Sequence, residues 1–162
     1  MAKILFAQNL APSIYEFVVD APLVAHKCQP GQFVMVRTDE YSERIPLTIA
    51  DFDREKGTIT LIVQAVGNTT KDLCENYKEG DDILDIAGPL GQPSHMKNFG
   101  TVVVVGGGIG VPPMLQTAKH YGANATAIIG FRNKDLIVLE EAIVAVGSKA
   151  KHQFAKSNNF HS

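Results

Sequence analysis

The chain has 162 residues, a formal net charge of −2 and 45% hydrophobic residues, enough for one large domain or two small ones with a real core. Lys and Arg are scattered rather than gathered on one face, which argues against a nucleic-acid partner. Cys28 and Cys74 make neither a disulfide framework nor a metal cage, and no run approaches the roughly 18 uninterrupted apolar residues of a membrane span.

Residues 2–8 read as a first strand, and Asn9–Ser13, with Pro12, as a turn. Ile14–Asp20 alternates, with Tyr15, Phe17 and Val19 on one side, as a half-buried strand does. Pro22 to Gly31 reads as a loop, Gln32–Thr38 as a third strand and Ile45–Phe52 as a fourth. Asp53–Gly57 is a polar hairpin turn closed by the residue that tolerates positive φ. Thr58–Val66 is a long fifth strand, with Ile59, Leu61, Val63 and Ala65 facing one way. The period then changes. Thr69–Tyr77 reads as a short helix, with Thr69 and Asp72 placed as in a capping box. Asp82–Ala87 is a sixth strand, closed by Gly88-Pro89-Leu90-Gly91. Short strands with turn signals every roughly 8–12 residues predict a small six-stranded antiparallel barrel.

Gln92–Gly100 reads as a linker, after which the pattern switches to strand, helix, strand: Val102–Val105, Met114–Tyr121, Thr126–Phe131, then a second helix over Leu139–Val146. That is a parallel α/β unit. The predicted fold is therefore β plus α/β: a barrel over 1–97 and a shortened Rossmann-like unit over 98–162, irregular from about residue 147. The four valines at 102–105 suit a strand buried on both faces.

The strand-to-helix turn, Gly106-Gly107-Gly108-Ile109-Gly110-Val111-Pro112-Pro113, aims backbone N–H groups at an anion. It departs from G-x-G-x-x-G, with Val111 where the third glycine belongs, and no acidic residue stands about 20 positions on to hold a ribose. A second helix start follows Gly67, at Thr69-Thr70. Two phosphate-binding ends suggest two nucleotides; a ligand-free turn and a simple helix cap are the plainer readings. His26, His95, His120, His152 and His161 show no metal spacing, so no metal site is assigned.

Arg44-Ile45-Pro46-Leu47-Thr48-Ile49, Gly67-Asn68-Thr69-Thr70, Gly88-Pro89-Leu90-Gly91, Gly106–Met114, and Gly130-Phe131-Arg132 with Asp135-Leu136 occur in this order in the ferredoxin-NADP reductase superfamily. Over about residues 1–141 the chain resembles its small FAD- and NAD-binding electron-transfer subunits. Such subunits occur in dihydroorotate dehydrogenase, sulfide dehydrogenase and NADH-dependent ferredoxin:NADP oxidoreductase. The resemblance implies a flavin motif at Ile45-Pro46-Leu47-Thr48, with Arg44 reaching the FAD pyrophosphate in place of the usual arginine at position 45. It implies Thr48 beside flavin N5, where hydride arrives, as the residue at the chemistry. Pro46 and Leu47 would shape the isoalloxazine pocket, with Val63 and Gln64 on the neighbouring strand. Gly67, Thr69 and Thr70 would hold FAD phosphates. Gly106, Gly107, Gly108, Gly110 and Pro113 would form the nicotinamide-dinucleotide turn, with Arg132 near the adenosine end of NAD(P).

The implied chemistry is hydride transfer from NAD(P)H to FAD, with electrons passed to a larger catalytic or iron–sulfur subunit. Alternatives are a free-standing flavin or ferric reductase and a non-catalytic FAD-binding remnant. Two departures stand out. Only two strands' worth of pattern follows residue 100, which reads as a truncated product. The four cysteines that hold a [2Fe–2S] cluster in related chains are absent from this sequence. Reduced thiols and the lack of a signal-peptide pattern suggest the cytoplasm.

Overall fold

A computed structural model describes residues 1–145, 147 and 149–154. The first half is an antiparallel sheet of seven strands: β1 (Ala2–Ala11), β2 (Ile14–Asp20), β3 (Phe33–Arg37), β4 (Ile45–Asp53), β5 (Thr58–Gln64), β6 (Asp82–Ile83) and β7 (Asp85–Leu90). Their spatial order is β6-β1-β2-β5-β4-β3-β7. β6 and β7 are one run of chain, interrupted at Leu84, whose N–H donates to the Thr38 carbonyl at 3.1 Å. One end of the run pairs with β1 and the other with β3, so the interruption closes the sheet into a near-complete barrel. The predicted sixth strand, Asp82–Ala87, is this run. It is split in two and prolonged through Gly88-Pro89, a cis bond, to Leu90.

Alternation explains the barrel core. Ile4, Phe17, Val19, Val34, Val36, Ile59, Leu61 and Ile83 are buried inside it together with Leu73 of α2 (Asn68–Asn76), each worth about 1.5–3 kcal/mol when fully withdrawn from water. The stretch predicted as a loop after Asp20 contains a one-turn helix, α1 (Pro22–Ala25). Its opening proline has φ preset for a helix start, where no N–H is needed.

The second half is a parallel sheet, β8 (Val102–Gly107), β9 (Ala125–Phe131) and β10 (Lys149–Phe154), in the order β10-β9-β8. Helices α3 (Met114–Tyr121) and α4 (Glu140–Ala145) pack with Val104, Ala127 and Ile129. Two expectations are corrected here. The valine strand is not buried on both faces: Val103 and Val105 are 61% and 70% exposed, because the helices named above lie on the opposite face. The polar stretch expected to be irregular from about residue 147 holds a third strand, β10, paired in register with β9 from Lys149↔Thr126 to Phe154↔Phe131. Backbone hydrogen bonds rather than an apolar pattern hold such an edge strand. The rest of that tail, 155–162, including His161, lies outside the described residues, as does Val146.

The two halves share a second core. Ala11, Ile14, Ala50 and Ile62 from the outer face of the barrel pack with Val111, Leu115, Ala118, Phe131 and Ile143. β5 therefore serves both cores, Leu61 and Val63 pointing into the barrel and Ile62 towards α3.

Candidate functional site

The glycine turn is built by crowding on one side and openness on the other. β8 ends at Gly106 and Gly107, and a 3-10 turn over Gly108–Gly110 leads to Val111 and α3. A Cβ on Gly106 would lie 2.8 Å from the Gly110 carbonyl oxygen, a distance no real side chain tolerates. Gly108 has φ +50°, in the left-handed region that glycine adopts without cost. Gly107 and Gly110 are different. A Cβ on Gly107 would make one ordinary contact, 3.6 Å from the Gly130 carbonyl oxygen, and one on Gly110 would meet nothing within 4 Å. A cradle that a side chain would fill, lined by backbone N–H groups, is what a phosphate needs.

The turn does not stand alone. Gly108–Gly110 lies close to β5 and β9, which brings the glycine turn against the strand of Val63 and Gln64. Val63 is buried and Gln64 half-buried. On the neighbouring strand, Leu47 is buried, Thr48 half-buried and Pro46 exposed, with Thr48 paired to Phe33 across the β3–β4 ladder. Arg132 is exposed immediately after β9.

The other helix start differs from its predicted form. The expected Thr69–Asp72 capping box does not form. Gly67 is the N-cap, and the Thr70 hydroxyl accepts the N–H of Gly67 at 2.9 Å and of Val66 at 3.1 Å while donating to the Gly67 carbonyl. Asp72 instead accepts from Asn76. Thr70 thus shapes the end, and the first-turn N–H groups of α2 have no intrahelical partner. An open cleft of about 420 Å³ lies beside this end, lined by Asn68, Thr69 and Asp72 on one side and Asp39, Tyr41, Ser42 and Glu43 on the other. Arg44, next in the chain, donates to Asp85 Oδ2 at 2.6 Å across to β7.

The thiols are structural. Cys74 lies beneath β5, its Sγ 3.9 Å from the Val63 carbonyl oxygen; burial first, and the Glu75 charge second, push its pKa up to about 12. Burial likewise raises the Cys28 pKa. Neither supplies a thiolate at neutral pH. Among the described residues no cluster of three His, Cys, Asp or Glu could hold a metal ion, and no helix is long and apolar enough to cross a membrane.

No family model matches the chain. A Thermotoga maritima protein named dihydroorotate dehydrogenase B (NAD(+)), electron transfer subunit homolog is 43% identical over 134 residues, which is 81% of this chain and 47% of that protein. The solved structure of an NADH-dependent reduced ferredoxin-NADP oxidoreductase superimposes with TM-score 0.87 at 38% identity, over 94% of this chain and 56% of that one. In sequence and fold the chain is similar to these two electron-transfer proteins. The same fold extends to the Plasmodium falciparum ferredoxin-NADP+ reductase, TM-score 0.78 at 18% identity, over 97% of this chain and 71% of that one. The chain spans about half the length of the curated relatives it matches.

Sequence reasoning missed three polar residues between the halves. Gln116 on α3 donates to the Ala50 carbonyl at 3.2 Å and to Asp51 Oδ1, and Lys119 donates to Asp51 Oδ2. Asp51 stands more than 60 positions from the other two in sequence, and no local pattern links it to them.

Proposed function

We propose that the chain binds FAD on the barrel and a nicotinamide dinucleotide at the glycine turn, and serves as an electron-transfer subunit for a larger partner. The observation that carries this reading is the contact of Gly108–Gly110 with β5, which brings the glycine turn against the strand of Val63 and Gln64. FAD, when bound, supplies the two-electron acceptance from NAD(P)H and the onward release of electrons. The protein's part is binding and orientation. The N–H groups at the start of α2 face phosphate with a favourable dipole, worth about 0.3–1 kcal/mol per nearby negative charge. Arg44 is available for a pyrophosphate because an exposed ion pair such as Arg44–Asp85 is worth only about 0–1 kcal/mol. Thr48, half-buried on β4, offers a hydroxyl at the ring edge. Leu47 and Val63 supply the apolar wall. The open sides of Gly107 and Gly110 let a pyrophosphate approach the backbone, and Arg132 stands at the adenosine end. A boundary near residue 98 separates the two binding units.

The partner reading rests on kinship with proteins named as subunits. The test is reconstitution with FAD followed by anaerobic addition of NADH or NADPH. A flavin band near about 450 nm that bleaches with either nucleotide is expected. Purified protein that cannot take up added FAD would sink the proposal, and a flavin that binds but never bleaches would confine it to the barrel half.

A further inference from the structure

We propose that Asp51, Gln116 and Lys119 form a positioning clamp that fixes the glycine turn against the strand of Thr48 and so sets the alignment of the two nucleotides. The inference rests on the function proposed above.

Asp51 lies three residues beyond Thr48 on β4. The β4–β5 ladder breaks there: Ile49 pairs with Leu61 but Asp51 with Thr60. One extra residue on β4 makes a bulge, and a bulge re-aims side chains. Ala50 and Asp51 accordingly present groups towards α3. Both carboxylate oxygens of Asp51 are taken, Oδ1 by Gln116 and by the Phe52 N–H at 2.8 Å, Oδ2 by Lys119. Gln116 is buried, and its amide nitrogen binds β4 twice, at Asp51 and at the Ala50 carbonyl. Gln116 and Lys119 are three apart on α3 and so share one face of it.

From α3 to the turn there is no slack. The Met114 N–H donates to Val111 at 3.0 Å and the Val111 N–H to Gly108 at 3.1 Å. Gly106 is closed against Gly110, with no space for a single methyl group. A displacement of α3 along β4 therefore moves the turn with it. Apolar contacts of Leu115 and Ala118 with Ala50 and Ile62 supply adhesion, but such contacts are non-directional. Charge-assisted hydrogen bonds fix distance and angle. Hydride transfer depends steeply on both, an error of about 1 Å costing as much as a hundredfold in rate.

The test uses Asp51→Asn, Lys119→Met and the exchanged pair Asp51→Lys with Lys119→Asp. Three properties are read: FAD uptake, amide hydrogen exchange across Gly106–Val111, and the rate and half-saturation of NADH-driven flavin reduction. FAD uptake should be unchanged in all three. In the single variants turn amides should exchange about tenfold faster, and saturated reduction should run about tenfold slower with half-saturation held, the scale of one lost charge-assisted bond. The exchanged pair should recover part of both. A role in stability alone would speed exchange through β8 and β9 as much as in the turn, and that result overturns the clamp; so does wild-type exchange in the turn of Asp51→Asn. Failure of the wild type to take up FAD or to be reduced would count against the proposed function instead, with the exchange rates still deciding the clamp.

Discussion

Alanine substitutions at Gly106 and Gly110 separate what the glycine turn does for folding from what it does for binding. At Gly106 a new Cβ would sit 2.8 Å from the Gly110 carbonyl oxygen and 3.2 Å from its carbon. Both neighbours are backbone, so the turn itself must move. Overpacking of this kind costs about 1–3 kcal/mol, and for a chain of this size each kcal/mol lowers Tm by roughly 2–4 °C. At Gly110 the same methyl group meets nothing, and the backbone there is outside the left-handed region. Replacing glycine at such a position stabilises by about 0.4–1 kcal/mol through the unfolded chain. The methyl group would, however, occupy the space proposed for the pyrophosphate. Gly110→Ala should therefore melt at or slightly above the wild-type temperature while binding NADH about tenfold to a hundredfold more weakly, a loss of roughly 1.4–2.8 kcal/mol. Thermal denaturation and equilibrium titration with NADH check both. Undiminished NADH affinity in Gly110→Ala would refute the cradle and leave the turn as a structural connection.

Two further predictions concern the barrel half. Thr70→Val removes a hydroxyl that accepts two amides and donates once; loss of such a cap should cost about 1 kcal/mol, read by chemical denaturation, and FAD uptake should fall with it. For Cys74 the folded pKa lies above its ordinary value of 9.0, at about 12. The folded state therefore favours the protonated thiol. The associated stability is complete below pH 9.0 and is lost as pH rises towards about 12. Cys74→Ala should flatten that alkaline limb of a stability–pH profile, and a profile identical to wild type would contradict the assignment.

Much of the barrel was legible because Ile59 and Leu61 alternate with Thr58 and Thr60, and Tyr15, Phe17 and Val19 recur at every second position; a period of two with turn residues between is direct information about strands. Val102–Val105 misled because a continuous apolar run does not distinguish one covered face from two. β10 was illegible because Lys149–Phe154 is a polar edge strand whose place comes from pairing with β9. At α2 the cap slipped by a register: Gly67 with Thr70 competes with Thr69 and Asp72 for the same role, and the Thr70 hydroxyl decides by bonding two N–H groups. The glycine turn and the strands around it were legible one by one. Their meeting, and the Asp51–Gln116–Lys119 contacts, depend on tertiary packing that no local spacing encodes.

That packing bears on whether the proposed boundary near residue 98 separates units that fold alone. Ile14 and Ile62 belong to β2 and β5, yet they are only 2% and 6% exposed because α3 and its surroundings cover them. Uncovering two such side chains costs about 1.5–3 kcal/mol each, a large share of the roughly 5–15 kcal/mol that holds an ordinary domain together. A fragment of residues 1–97 should therefore be several kcal/mol less stable in guanidinium than the whole chain. Ile62→Ala distinguishes this argument from a general fragility of fragments. In the whole chain it opens a cavity at the shared core and should cost about 2–5 kcal/mol. In the fragment the same side chain faces water, and its removal should cost less than about 0.5 kcal/mol, as at other surface positions. Equal costs in the two contexts would mean that Ile62 is held by the barrel itself, and that the second core does not join the halves.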